Sequence, residues 1–275
     1  MNKIVVPVDF SDTSENAAFF AANLSKQIPE AQLILYNVYN NSDAGSDGTP
    51  LQQDDTDKKT VMEFVLQTLK NKVSLITDAS ISIVSEEDDD FVDSLERFAN
   101  HQAVQLIVMG ITGSSKNQQT LMGSNTLKLV ERKTVPVLIV PPEATFESLK
   151  NIMMVCDFKD VAKTVPIAPL KAVLDLFKAK LYVVNVDSEH FIELSDTYKA
   201  ERAKLDAMIK EYNPEYAFIR MFDFVDSVNQ YATDKNIQMI ITFPKSHSFI
   251  SGIFKTSNTK KLVYHSNVPI IAIHS

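Results

Sequence analysis

Short apolar, β-branched runs recur along the chain, separated by longer stretches whose apolar residues return every three or four positions. In the first half the runs are Lys3–Val8, Leu33–Tyr39, Ile81–Ser85, Leu106–Met109 and Val137–Val140. Runs of this length bounded by polar segments predict buried strands. The stretches between them predict helices. In Phe91–Asn100 the residues Phe91, Val92, Leu95, Phe98 and Ala99 fall on one helical face. The acidic run Glu86–Asp90 just ahead of it is expected to complement the positive end of that helix dipole, although it also reads as an interaction tail. Strands alternating with helices predict an α/β fold built from parallel βαβ units, a doubly wound sheet.

The pattern then repeats. Ile4-Val-Val-Pro-Val-Asp9-Phe10 aligns with Ile152-Met-Met-Val-Cys-Asp157-Phe158 at an offset of 148, and Leu33-Ile-Leu-Tyr-Asn37-Val38 aligns with Leu181-Tyr-Val-Val-Asn185-Val186 at the same offset. Farther on the offset is 133: Phe91-Val-Asp-Ser94 equals Phe224-Val-Asp-Ser227, and Ser124-Asn-Thr-Leu-Lys-Leu-Val130 matches Ser257-Asn-Thr-Lys-Lys-Leu-Val263. The chain is a tandem duplication, expected to form two domains, 1–145 and 146–275, each with its own doubly wound parallel sheet. The second copy lacks 15 residues where the first carries Asn40–Pro50, rich in Gly, Ser and Asp. That segment reads as a surface insertion, with a lid over a ligand as the alternative. The final runs, Val137–Val140 and Ile270–Ile273, are continuously apolar and expected at sheet edges, where an unpaired strand invites pairing.

Composition narrows the function. The net charge is −8 with no basic stripe, so nucleic acid is not an expected partner. No apolar run reaches the roughly 20 residues of a membrane span, and Met1-Asn-Lys3 leads straight into the first strand without a leader pattern. The single cysteine, Cys156, excludes an internal disulfide and suits a reducing, cytoplasmic setting; its apolar surroundings make it a core residue rather than a nucleophile. The five histidines show no metal-ligand spacing.

Glycine changes the picture. The chain has only six glycines in 275 residues, about a third of ordinary usage, yet three form one phrase: Gly110-Ile-Thr-Gly113, nine residues, then Gly123-Ser124. A predicted strand precedes the phrase and a helical pattern follows it. Strand, glycine loop and helix N-terminus together can hold a phosphate on backbone N–H groups, beyond plain turn-making. In doubly wound sheets, ligands bind beyond the carboxyl ends of strands where the strand order reverses. Asp9, Val38 and the glycine loop would then share one crevice. Asp9 could meet a ribose hydroxyl or a metal ion, or could cap the helix beginning Asp12-Thr13-Ser14-Glu15.

The phrase Gly-x2-Gly-x9-Gly-Ser, with the opening Ile-Val-Val-Pro-Val-Asp-Phe-Ser and the closing Val-Pro-Val-Leu-Ile-Val-Pro, resembles the universal stress protein family, in two tandem copies. The resemblance implies an adenine-nucleotide alpha hydrolase-like fold holding ATP, ADP or AMP, with Mg2+ as a candidate companion. It implies adenine and ribose near Pro7, Val8, Asp9 and Val38, and phosphates on Met109, Gly110, Thr112, Gly113, Gly123, Ser124, Asn125 and Thr126. Family members carry histidine where Asn37 stands. The resemblance also implies pairing through the final strand, hence a pseudo-dimer of the two halves within one chain, with a homodimer as a further expectation. In the second half, Phe243, Ser246 and Thr256 replace the three glycines, so the expected nucleotide is confined to the first.

Three functions remain open at this point. The leading one is a stress-response or signalling protein acting through nucleotide-dependent interactions. A slow ATPase or nucleotidyl transferase is the second, but the spacer Ser114–Met122 holds no Asp, Glu or His to activate water, and the Walker-type GxxxxGK[ST] loop is missing. Near the phosphates only Lys116 and Lys128 supply cationic charge, and Asp9 is the single carboxylate. The third is a dimerisation module that binds nothing.

Overall fold

A computed structural model describes residues 1–40, 55–111, 124–132, 135–187, 196–220, 224–243 and 268–274. The first half runs β1 (Asn2–Pro7), α1 (Asp12–Ser25), β2 (Ala31–Tyr39), α2 (Asp55–Ser74), β3 (Ser80–Glu87), α3 (Phe91–His101), β4 (Leu106–Gly110), α4 (Ser124–Glu131) and β5 (Val137–Val140). The second runs β6 (Asn151–Val155), α5 (Val161–Thr164), α6 (Ile167–Phe177), β7 (Lys180–Asp187), α7 (Asp196–Ile209), β8 (Glu215–Arg220), α8 (Phe224–Asp234), β9 (Met239–Thr242) and β10 (Ile270–Ala272).

The strands form one ten-stranded sheet, β3-β2-β1-β4-β5-β10-β9-β6-β7-β8. Each half keeps the reversal of order that a doubly wound sheet requires. The halves do not, however, close as separate sheets. β10 pairs antiparallel with β5, in the register Ile270↔Ile139, Ile271↔Leu138 and Ala272↔Val137, while the other pairings are parallel. All four residues of β5 are buried, so the edge expected from its apolar composition is covered by its counterpart. This places the C-terminal ends of the first half's strands at one end of the sheet and those of the second half at the other.

Helices cover both faces, and the strand alternation sorts the core into two layers. Ile4 and Val6 of β1 pack with Ala17, Ala18, Ala21 and Leu24 of α1 and Leu66 and Leu69 of α2. Val5 points the other way, into a layer with Leu95 of α3 and Leu129 of α4. The alanines of α1 matter because a helix faced with small side chains can lie close to the sheet. α1 begins at a proper cap: Ser11 is extended (φ −72°, ψ 156°) and its hydroxyl accepts from the Ser14 N–H.

The second half departs from the first at this helix. Where α1 runs unbroken for 14 residues, the copy is two pieces, α5 of 4 residues and α6, separated by Val165-Pro166. Proline has no N–H to donate and its ring clashes with the preceding turn, so the first helix ends there and a new one starts.

Candidate functional site

β1 pairs in parallel with β2 on one side and β4 on the other, so the strand order reverses between β1 and β4. A cleft of about 200 Å³ opens beyond their carboxyl ends. Pro7 at the end of β1, Val8 and Asp9 just after it, Val38 of β2, Met109 and Gly110 of β4, and Asn125 and Thr126 of α4 all line it. Sequence reading placed these residues together. Ser124 is the first residue of α4, while Thr112, Gly113, Gly123, the spacer 114–122 and all of the insertion Asn40–Pro50 after Asn40 lie outside the described residues, as do Ser246, Thr256 and the second Ser257-Asn-Thr.

The cleft has a wall that sequence reading missed. Ser11, Thr13 and Ser14 of the first turn of α1 line it, together with Phe91 at the start of α3. The first turns of α1 and α4 therefore face one space, each with N–H groups that have no intrahelical acceptor. The signal available in the sequence was the run of small hydroxyl residues after Asp9-Phe10, read there only as capping. Phe91 reads as helix core because its neighbours share its periodicity.

Asp9 is held by a tight local turn. Phe10 sits in the left-handed region (φ 63°), and Phe158 repeats this at φ 48° in the second half. A bulky residue there is uncommon and strained. The reversal brings the Ser11 N–H and hydroxyl onto Asp9 Oδ1 at 3.1 and 2.6 Å, and Lys159 N donates likewise to Asp157 Oδ1 at 3.1 Å. Loss of water in the cleft pushes the Asp9 pKa up, but hydrogen bonds from Ser11, with smaller contributions from Ser14 and the local backbone, together outweigh it and hold the carboxyl below its ordinary value. Asp9 is therefore an anchored carboxylate at neutral pH. It does not cap α1; Ser11 does.

Gly110 has a structural reason beyond any ligand. A Cβ there would meet the Thr13 carbonyl carbon at 2.7 Å and the Ser14 nitrogen at 3.2 Å. β4 and the first turn of α1 touch backbone to backbone. In the second half the counterpart is Phe243, which is buried in the same core layer as Phe158 and Val161. There the first turn of the copied helix is still formed, by α5, and the Val161 N–H is capped by Glu201 Oε2 at 2.8 Å.

Asn37, standing where the resemblance implies histidine, is buried and is not part of the cleft lining. Its Nδ2 donates to the Val8 carbonyl at 2.8 Å, bridging β2 to the end of β1, and Asn185 does the same to Cys156. The acidic run divides. Glu86 and Glu87 belong to β3, Glu86 accepting from the Tyr36 hydroxyl at 2.6 Å and from Arg97. Only Asp90 caps α3, accepting from Val92 N and Asp93 N at 2.9 and 3.0 Å. Cys156 is buried. Among the described residues no group of three or more His, Cys, Asp or Glu could hold a metal ion, and no helix is long and apolar enough to cross a membrane.

A sequence model of the universal stress protein family matches residues 1–141. A universal stress protein of Methanocaldococcus jannaschii is 28% identical over 140 residues, covering 50% of this chain and 81% of its own. Among solved structures, a universal stress protein of Archaeoglobus fulgidus superposes with a TM-score of 0.69 at 16% identity, covering 99% of this chain and 96% of the other. A putative universal stress protein of Pseudomonas aeruginosa gives 0.60 at 13% identity, covering 100% and 93%. These structural likenesses concern the fold.

Proposed function

The chain belongs to the universal stress protein family, and on that premise we propose that its first half binds one adenine nucleotide, ATP or its ADP or AMP form, and acts through nucleotide-dependent interactions in a cytoplasmic stress response. The observation that carries this is the convergence in one cleft of the β1 and β4 ends with the first turns of α1 and α4. The apolar side, Val38, Phe91 and Met109, suits a planar base; the two helix N-termini suit anions. The residues present fit the nucleotide: Gly110 leaves no Cβ between β4 and α1, and Asp9 offers a fixed acceptor to a ribose hydroxyl. A magnesium ion would come with the phosphates rather than from a protein cluster.

The division into domains 1–145 and 146–275, paired within one chain through β5 and β10, belongs to the same reading. In it the second half keeps the fold and lacks the nucleotide, because Phe243 and a broken helix stand where Gly110 and α1 stand in the first.

Titration calorimetry with ATP tests the proposal. The expected result is one site per chain, abolished in Gly113→Phe and Gly123→Val because a side chain fills phosphate volume. Two equivalent sites per chain, or binding that survives both substitutions, would overturn it.

A further inference from the structure

α1 touches the cleft at one end and the connection between the halves along its length. At its first turn, Ser11, Thr13 and Ser14 line the cleft, and the Thr13 carbonyl lies against Gly110. One turn on, Asn16 Nδ2 donates to the carbonyls of both Pro141 and Ala144 at 3.2 Å. Phe20 packs edge-to-face on Phe146 at 5.2 Å. Just past the helix, Gln27 Oε1 accepts from the Leu149 N–H at 2.7 Å. Two attachments on α1 and one just past its end thus fasten the strap 141–150. The strap ends in β6, whose start is held by Gln238 Oε1 accepting from Lys150 N and Asn151 N at 3.0 and 2.9 Å.

Among the described residues the second half shows no such arrangement. Its copy of α1 is cut at Val165-Pro166, and α6 faces the first half across a cavity of about 450 Å³, presenting Pro169, Val173 and Leu176 to Pro29, Val104 and Pro136. One side of the seam is bolted; the other is open.

We propose that α1 is a relay: occupancy of the first-half cleft shifts or stiffens this helix, and the strap 141–150 carries the change to the second half. This rests on the nucleotide reading of the cleft. A ligand wedged between the first turns of α1 and α4 bears on a rod of 14 residues, about 21 Å long, whose internal hydrogen bonds make it move as a unit. The strap joins α1 to the start of β6, so the coupling links the first-half cleft to the second half and is reciprocal.

Amide hydrogen exchange on the full chain, with and without saturating ATP and beside calorimetry, tests this. The Ala144 N–H, bonded to the Pro141 carbonyl at 3.1 Å, and the Leu149 N–H are the reporters. ATP should slow their exchange by about fivefold or more, the low end of coupling between linked sites. In Asn16→Ala combined with Phe146→Leu and Gln27→Ala, which removes all three attachments, ATP should still bind but the Ala144 reporter should no longer respond. Binding heat in the wild type with unchanged exchange at both amides overturns the relay alone, as does an Ala144 response that persists in this variant. Absence of binding heat overturns the nucleotide reading and the relay with it. If this variant fails to fold, the wild-type comparison decides.

Discussion

Gly110 and Asp9 show how much one residue can carry. Because a Cβ at Gly110 would strike the Thr13 backbone, Gly110→Ala is expected to destabilise the protein by about 1–3 kcal/mol, the usual cost of overpacking, with no nucleotide present. Urea unfolding measures this; an unchanged midpoint would mean that α1 can move aside freely. Asp9 makes a separate, pH-dependent contribution. Its folded-state pKa is lowered, so the stabilisation is present above the unfolded value, about 3.9, and is lost as the pH falls through the folded one. Asp9→Asn should lower the melting temperature at neutral pH and lose that part of the acid sensitivity. Parallel melting curves for the two proteins from pH 6 to 3 would contradict the assignment.

At the scale of elements, the seam depends on β5 and β10, three residue pairs long and wholly apolar. Leu138→Lys with Ile139→Lys places two ammonium groups in a buried strand. Each uncompensated buried charge costs about 3 kcal/mol or more. The halves are expected to splay, with faster proteolysis in 141–150 and a larger radius of gyration by small-angle scattering. The strands and the duplication were legible in the sequence because period and identity are local properties. The strand order around Gly110 was legible because a glycine-poor chain marks the place. The first turn of α1 as a cleft wall was not, since a run of Ser and Thr looks the same whether it caps a helix or also faces a ligand. The broken helix in the second half was overlooked, although its proline is in the sequence. Pro166 sits in an apolar stretch whose helical period continues on both sides of it.

The whole molecule pairs a half with an open cleft beyond β1 and β4 with a half in which a buried phenylalanine, Phe243, stands at the counterpart of Gly110. Turnover is expected to stay below about one ATP per minute, a barrier near 20 kcal/mol, since the cleft brings one anchored carboxylate and no second acid or base among the residues described. A phosphate-release assay giving several turnovers per second, lost in Asp9→Ala, would reverse that reading. The antiparallel β5–β10 seam has a consequence for life among relatives. A chain that supplies both sides of its own seam has no need to recruit a strand from elsewhere, and dilution cannot separate a partner that is covalently attached. When single-domain relatives are present, subunits that pair strand to strand through separate chains can trade places; this one is insulated from the exchange. Mixed with a single-domain relative at micromolar concentration, it should give no hybrid species in native mass spectrometry, and its two halves should always arrive in a one-to-one ratio.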